Sequence, residues 1–278
     1  MVGIKESKIK TVLITILAFV VAAIFLFPIL WLFSSSFKPS AELFSYPLHM
    51  LPQEFTWDNY VKVISDGFMQ YVQNSFFVAI VATIICVAVS STTGYALAIY
   101  RNEFKIAGLL FVYFVIGTLV PGDVLMIPQF DVILNVGLYN SIWGVILPTV
   151  ASTTGIFLFR QFFMATPMSL VEAARIDGAS EFHIFMRIMF PLAKPTTVTL
   201  IIFSFMWRWN DYLLPLIVLS KQDRYTVQIA IRNYIGNYGV DWNSIIAASI
   251  ISIIPVLIVF MFLQKYIMGG IATSGMKN

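Results

Sequence analysis

The stretch EAARIDGASEFHIFMRIMFPLAKP, Glu172 to Pro195, gathers Glu172, Arg175, Asp177, Glu181, His183, Arg187 and Lys194 in a chain with only 11% charged residues. These side chains do not make a reaction centre. A membrane enzyme would need a nucleophile, a metal cluster or an acid–base pair at depth, yet His49 and His183 stand far apart in the sequence and are expected on opposite sides of the membrane. Acids and bases at this density can instead fix the register of a contact with another protein surface.

The spacing supports a rigid projection. Ser169 and Glu172 form S-x-x-E, the capping-box pattern, which predicts a helix starting near Leu170. Gly178 fits the left-handed residue that stops a helix, and Ser180 fits the cap of the next. Leu170, Ala173 and Ala174 share one face at i, i+3, i+4, with Glu172 and Arg175 at its edge. A face this thin lets a partner come close. In the second helix Phe182, Phe185, Met186 and Met189 are expected to pack against apolar helices, with Ser180, His183 and Arg187 opposite, and Pro191 and Pro195 to end it. A merely solvated loop is the alternative; two capped helices around a glycine favour a lever.

A second set of chemistry-bearing residues lies at Trp207, Arg208, Trp209, Asn210, Asp211 and Tyr212. Arg208 and Asp211, three apart, are spaced to pair on one helix face, and each costs ~2.5–3.5 kcal/mol at a bilayer centre on insertion scales, so neither should face lipid. Aromatic rings beside amide and carboxylate groups suit a neutral polyol, covering its C–H faces and bonding its hydroxyls. The same residues would also serve as an interfacial anchor. Upstream, VPGDVLMIPQF carries Asp123 and Gln129, with Asp131 next in the chain, where Pro121, Gly122 and Pro128 are expected to break a helix. Irregular backbone at membrane depth must line a cavity or pack on protein; an interfacial loop is equally compatible.

The elements that hold these residues are membrane helices. The composition, 59% hydrophobic and 11% charged, lies far from the soluble averages of about 45–50% and about 25%. Apolar runs of the required ~20 residues occur at Thr11–Phe33, Tyr71–Tyr100, Val132–Phe159 and Asn243–Gln264, with Ile106–Gly122 slightly short and Pro195–Leu219 interrupted by Arg208 and Asp211. The expected fold is all-α and integral to the membrane, with six transmembrane helices and a cytoplasmic coupling loop between the fourth and fifth. It reads as a single domain over 1–278, with a cytoplasmic N-terminus at 1–10, the loop at 167–192 and a cytoplasmic tail at 265–278. The first apolar run is too long for a signal peptide and is expected to remain as the first helix.

Lys and Arg set the orientation. With the N-terminus inside, the inner segments hold Lys5, Lys8, Lys10, Arg101, Lys105, Arg160, Arg175, Arg187, Lys194, Lys265 and Lys277. Lys38, Lys62, Lys221, Arg224 and Arg232 fall outside. Trp57 and Tyr60 suit an interfacial belt. The small residues of SSTTG at Ser90–Gly94, with Ala96 and Ala98, allow close helix packing. Cys86, the single cysteine, is a packing residue. A net charge of +3 without a basic run gives no reason to expect nucleic acid.

EAARIDGAS with the downstream FPLAKP resembles the EAA loop of binding-protein-dependent ABC importer permeases. FLFRQFF at Phe157–Phe163, NSFFVA at Asn74–Ala79, WNDYLLPL at Trp209–Leu216 and QKYIMGGIATSGMKN at Gln264–Asn278 resemble the maltose and glycerol-3-phosphate branch, the carbohydrate-uptake permeases, as the second permease of the pair. The ending SGMKN departs from that branch's usual GxVKG. The resemblance runs from Tyr71 to the C-terminus.

It implies a carbohydrate-importing subunit of a bacterial cell membrane, paired with a homologous permease, two ATPases and an external sugar-binding protein. Glu172, Ala173, Ala174 and Gly178 match the segment that docks on the ATPase, with Arg175 and Asp177 beside them. The substrate path would fall on Trp207, Trp209, Asn210, Asp211, Tyr212 and Gln129, and the outer loop Lys221–Asn243, with Arg224, Tyr225, Arg232, Tyr234 and Tyr238, would reach towards the binding protein. The chain lacks G-x-x-x-x-G-K-[ST], so no cofactor is expected on it: ATP and magnesium belong on the partner ATPase. A six-helix secondary transporter or channel is the alternative, but among the spans only Asp211 offers an ion-coupling carboxylate.

Overall fold

A backbone removed from water must satisfy its hydrogen bonds within its own segment, so the apolar runs fold as helices. The computed structural model describes residues 8–104, 106–236 and 239–274; expectations placed on Lys5, Lys105, Tyr238, Lys277 and the end of the tail lie outside them. In chain order the helices begin with α1 (Lys8–Ser35), α2 (Ser40–Leu43), α3 (Asp58–Ser65), α4 (Phe68–Ile99), α5 (Ala107–Gly117), α6 (Gly122–Asn135), α7 (Ile142–Ile146) and α8 (Thr153–Ala165). They continue with α9 (Ser169–Ile176), α10 (Glu181–Ile184), α11 (Phe190–Leu192), α12 (Lys194–Trp209), α13 (Leu213–Val218), α14 (Val227–Asn233) and α15 (Trp242–Ser274). A two-residue hairpin pairs β1 (Ile235–Gly236) with β2 (Gly239–Val240) in antiparallel register.

Among the described residues four helices are long and apolar enough to cross a bilayer: Lys10–Ser35, Phe68–Ile99, Ile142–Ala165 and Trp242–Gln264. Two bent pairs, Ala107–Gly117 with Gly122–Asn135 at 105° and Glu181–Leu192 with Lys194–Trp209 at 77°, raise the total to six if each is one span. The fourth span is displaced from its expected start at Val132. That residue lies in the last turn of α6, which ends at Asn135, and a turn through Asn140, at φ 53°, separates α6 from α7. Hydropathy alone could not see this turn because its flanks are equally apolar. Pro121 precedes α6 as expected, but Pro128 is carried inside the helix, as membrane helices tolerate.

By internal contacts the chain divides into two units, Met1–Phe68 with Ile231–Ile253, and Met69–Ala230 with Ile254–Asn278. In the first, Asn59 donates to the carbonyls of Ser36 and Lys38 at 2.8 and 2.9 Å, and Asn243 donates to the Lys38 carbonyl at 2.8 Å. These amides satisfy a non-helical backbone. Phe37 stacks on Phe55 at 4.7 Å and meets Trp57 edge-on at 5.0 Å, so Trp57 belongs to a cluster of rings. Lys62 pairs with Asp241, which also accepts from the backbone of Ser244 and so caps the start of α15.

The second unit is strung along α4, whose 32 residues give about 48 Å of helix at about 1.5 Å per residue. Two apolar clusters share it. One joins Val78 and Ala82 to Ile133, Ile146, Leu214 and Val218. The other joins Cys86, Tyr95 and Ala98 to Phe159, Phe163, Val171, Ile184, Phe185 and Met189. Small residues set the spacing of α4 and α8: a Cβ on Gly155 would lie 2.4 Å from Ser90 Oγ, so the close packing expected of SSTTG is present.

Candidate functional site

The charged loop is built by a sharp stop and a restart. Helix α9 ends with Gly178 at φ 80°, where the Ala179 N–H reaches the Ala174 carbonyl and the Gly178 N–H reaches that of Arg175, both at 3.0 Å. This is a Schellman motif, and its left-handed residue favours glycine. Ser180 then caps α10, accepting from the His183 N–H at 3.3 Å. The expected capping box does not form. Helix α9 already includes Ser169, and its cap, Met168, makes no side-chain bond; the chain enters helix directly from Pro167, with the Leu170 N–H on the Pro167 carbonyl.

The loop is fastened to α4 by groups the sequence did not single out together. Arg175 Nε donates to Glu181 Oε1 at 2.6 Å, Tyr95 Oη donates to Glu181 Oε2 at 3.4 Å, and the Arg175 guanidinium lies 5.7 Å from the Tyr100 ring centre. The Arg175 hydrogen bond, outweighing partial burial, holds the Glu181 carboxyl below the usual glutamate range. One carboxylate thus ties both loop helices to the end of α4.

The faces differ from the helical-wheel expectation. Val171 and Ala174 turn inward against the core, while Leu170, Glu172, Ala173 and Asp177 face out. In the second helix Ile184, Phe185 and Met189 are buried, whereas Phe182 and Met186 are exposed. A π-helical segment at Phe185–Met189 explains the shift, because a wider turn rotates the residues around the axis. Pro191 lies in the first turn of α11 and Pro195 in that of α12, so the break falls at Ala193. The loop leaves Ile176 86% and Phe182 74% exposed. Large apolar side chains bared beside carboxylates on a fastened projection form a contact surface.

A polar cavity of about 600 Å³ lies elsewhere in the same unit, lined by Asp123, Met126, Gln129, Asn210, Asp211 and Tyr212 among others. It brings together Gln129, Asn210, Asp211 and Tyr212 from the expected path and adds Asp123. The expected Trp207 and Trp209 do not line it. Trp209 is buried and stacks on Phe205 at 5.7 Å, and Trp207 stacks on Phe203 at 5.7 Å. Asp131 also stays away, accepting from Asn135 at 3.3 Å. Nor do Arg208 and Asp211 form an ion pair among the described residues. Helix α12 ends at Trp209, which removes the i, i+3 geometry, and Arg208 Nη2 donates to the Thr149 carbonyl instead.

The segment after α13 is no free loop. Asn74 Nδ2 donates to the carbonyls of Asp223 and Tyr225 at 2.9 and 3.0 Å, Ser75 Oγ accepts from the Val227 N–H at 2.8 Å, and Arg224 donates to the Asn140 carbonyl. Residues 222–224 form a 3-10 turn and α14 follows. Helix α4 thus grips the charged loop at one end and this segment at the other.

Comparison with known proteins decides the family: residues 90–272 match the binding-protein-dependent transport system inner membrane component. The chain belongs to that family. Along nearly its whole length the permease is similar to the arabinooligosaccharides transport system permease protein AraQ of Bacillus subtilis (strain 168), with 36% identity over 98% of each chain. It is 34% identical to the sn-glycerol-3-phosphate transport system permease protein UgpE of Escherichia coli O6:H1, over 91% of this chain and 92% of the relative. In fold it is similar to a bacterial ABC transporter involved in import of the acidic polysaccharide alginate, with a TM-score of 0.81 and 24% identity over 94% of this chain and 98% of that one. The MetNI methionine ABC transporter follows at a TM-score of 0.55 and 15% identity, over 73% and 95%. The permease is therefore an inner-membrane subunit of a transport system that depends on a binding protein, and its relatives are permeases rather than enzymes.

Proposed function

We propose that this permease carries a carbohydrate across the bacterial cytoplasmic membrane, driven by ATP that two partner ATPases hydrolyse. The observation that carries the reading is the charged loop: it is fastened to α4 through Glu181 and Arg175 while Ile176 and Phe182 are left bare. Such a surface is suited to being pushed. The distribution of Lys and Arg supports a cytoplasmic N-terminus, loop and tail. The ATPase would contact Glu172, Ala173, Arg175, Asp177 and the turn at Gly178. Ala174 contributes from behind, by packing α9 onto the core.

A homologous second permease completes the pathway, and an external binding protein delivers the sugar. This chain needs no cofactor; ATP and magnesium sit on the ATPase. ATP-driven closure draws the docked loops together, and α4 carries the movement to the segment that Asn74 and Ser75 hold. The bundle is thereby biased towards the outward-facing state, and hydrolysis resets it. The coupling is a population shift set by ATP at one site and sugar at another.

Purification from the native membrane tests this. The permease should bring down an ATPase and a second permease, and the assembly should import sugar into proteoliposomes only with ATP and a binding protein. Import without a nucleotide-hydrolysing subunit would refute it.

A further inference from the structure

The relatives leave the charge of the solute open, since an arabinooligosaccharide permease and an sn-glycerol-3-phosphate permease match at 36% and 34% identity. The polar cavity discriminates between these chemistries. Its charged lining side chains are the carboxylates of Asp123 and Asp211, and no Lys, Arg or His stands among the lining residues. The neighbouring guanidinium, Arg208, is not on the lining: it donates to the carbonyl of Thr149 behind the wall and lies close enough to Asp211 for the two charges to interact, so Asp123 is the carboxylate without a nearby cation on the lining. Asp123 also occupies the first turn of α6, where the positive end of a helix would otherwise favour a bound anion.

The hydrogen-bonding inventory points the same way. Asn210 Nδ2 gives one of its two N–H groups to the Met206 carbonyl at 2.9 Å, and the Thr149 hydroxyl gives its one proton to the Ile146 carbonyl at 2.8 Å. What remains is still weighted towards acceptors: the Asp123 carboxylate, the lone pairs that Asp211 keeps beyond the backbone N–H groups of Leu213 and Leu214, and the Asn210 Oδ1, against one Asn210 N–H, the Gln129 amide and the Tyr212 hydroxyl. Acceptors call for donors. Sugar hydroxyls donate to carboxylates in charge-assisted bonds, whereas phosphates and uronates bring further acceptors and like charge. Met126, Leu213 and Leu214 offer apolar surface for the C–H faces of a ring.

We propose that this cavity admits an uncharged, hydroxyl-rich solute, a neutral mono- or oligosaccharide, and rejects sugar phosphates and uronates, with Asp123 and Asp211 as the discriminating residues. The proposal rests on the sugar-import reading above and adds the charge class of the cargo.

The test uses the complete transporter, with its second permease, ATPase and binding protein, in proteoliposomes. Radiolabelled arabinotriose, sn-glycerol 3-phosphate, digalacturonate and glucosamine serve as probes. Arabinotriose should enter at least about tenfold faster than either anion, a difference of about 1.4 kcal/mol. Faster entry of an anion, or of cationic glucosamine, overturns the charge assignment and leaves sugar import standing. ATP-dependent entry of none of the four overturns the import reading itself. Asp123→Asn combined with Asp211→Asn should slow arabinotriose entry about tenfold without changing the Kd of the binding protein, while Asp123→Glu should retain entry. Wild-type entry by the double variant, or an equal loss in Asp123→Glu, overturns the proposal, the second because shape rather than charge would then be at stake.

Discussion

Where the charged loop meets α4, the polar groups are consumed by one another: Glu181 is shared between Arg175 and Tyr95, and the backbone of the turn closes on itself through Gly178. In the polar cavity the side chains of Asp123, Gln129 and Tyr212 make no hydrogen bond or ion pair with other described residues, and Asp211, whose carboxylate accepts from the backbone of Leu213 and Leu214, keeps further acceptor capacity. On the proposed function, the difference separates two kinds of work. A loop that transmits force would satisfy its polar groups internally and expose apolar ones, here Ile176 and Phe182, for a partner to grip. A cavity that takes up and releases a solute would keep polar groups available.

The contrast can be broken most severely at Gly178. Its φ of 80° is closed to proline, which is confined to about −65°, and Gly178→Pro would also delete the N–H bonded to the Arg175 carbonyl. Solute-stimulated ATPase should fall at least about tenfold, a loss of about 1.4 kcal/mol in coupling, in an assembly that still inserts and co-purifies. Wild-type stimulation would remove the rigid turn from the account.

Glu181→Gln sharpens the same contrast with a smaller effect. A partly exposed ion pair contributes about 0.2–1 kcal/mol, so coupling should drop by between about 1.4-fold and about fivefold. The pH dependence has a definite sign. The Glu181 carboxyl is depressed, chiefly by Arg175, so its contribution is present above the unfolded glutamate pKa of about 4.3 and is lost as the pH falls through the lower folded value. Limited proteolysis of the loop should distinguish wild type from Glu181→Gln at neutral pH, and the difference should vanish only below about pH 4. A difference that already disappears near neutrality would assign the latch to another group.

Much of this was legible in the sequence for simple reasons. Apolar run length dictates membrane helices, and the turn at Gly178 and the cap at Ser180 are local signals that survive any tertiary context. What escaped depends on long-range geometry. The pairing of Glu181 with Tyr95 joins residues far apart in the chain. The π segment at Phe185–Met189 rotates the second loop helix away from a 3.6-residue wheel. The end of α12 at Trp209 dissolves the expected Arg208–Asp211 pair, and the stacking of Trp207 and Trp209 on Phe203 and Phe205 removes both indoles from the cavity. Gln129, Asn210, Asp211 and Tyr212 could be named from the sequence, but that they share a wall with Asp123 follows only from the packing of α13 against α6.

The most direct test of the central claim is the reactivity of position 176 in a Cys86→Ser, Ile176→Cys permease. A membrane-impermeant maleimide should label the isolated permease readily and label the assembly with its ATPase at least about tenfold more slowly, as expected for a side chain buried in a partner's cleft. An unchanged labelling rate in a fully assembled transporter would contradict the claim that this loop is the surface on which the ATPase acts.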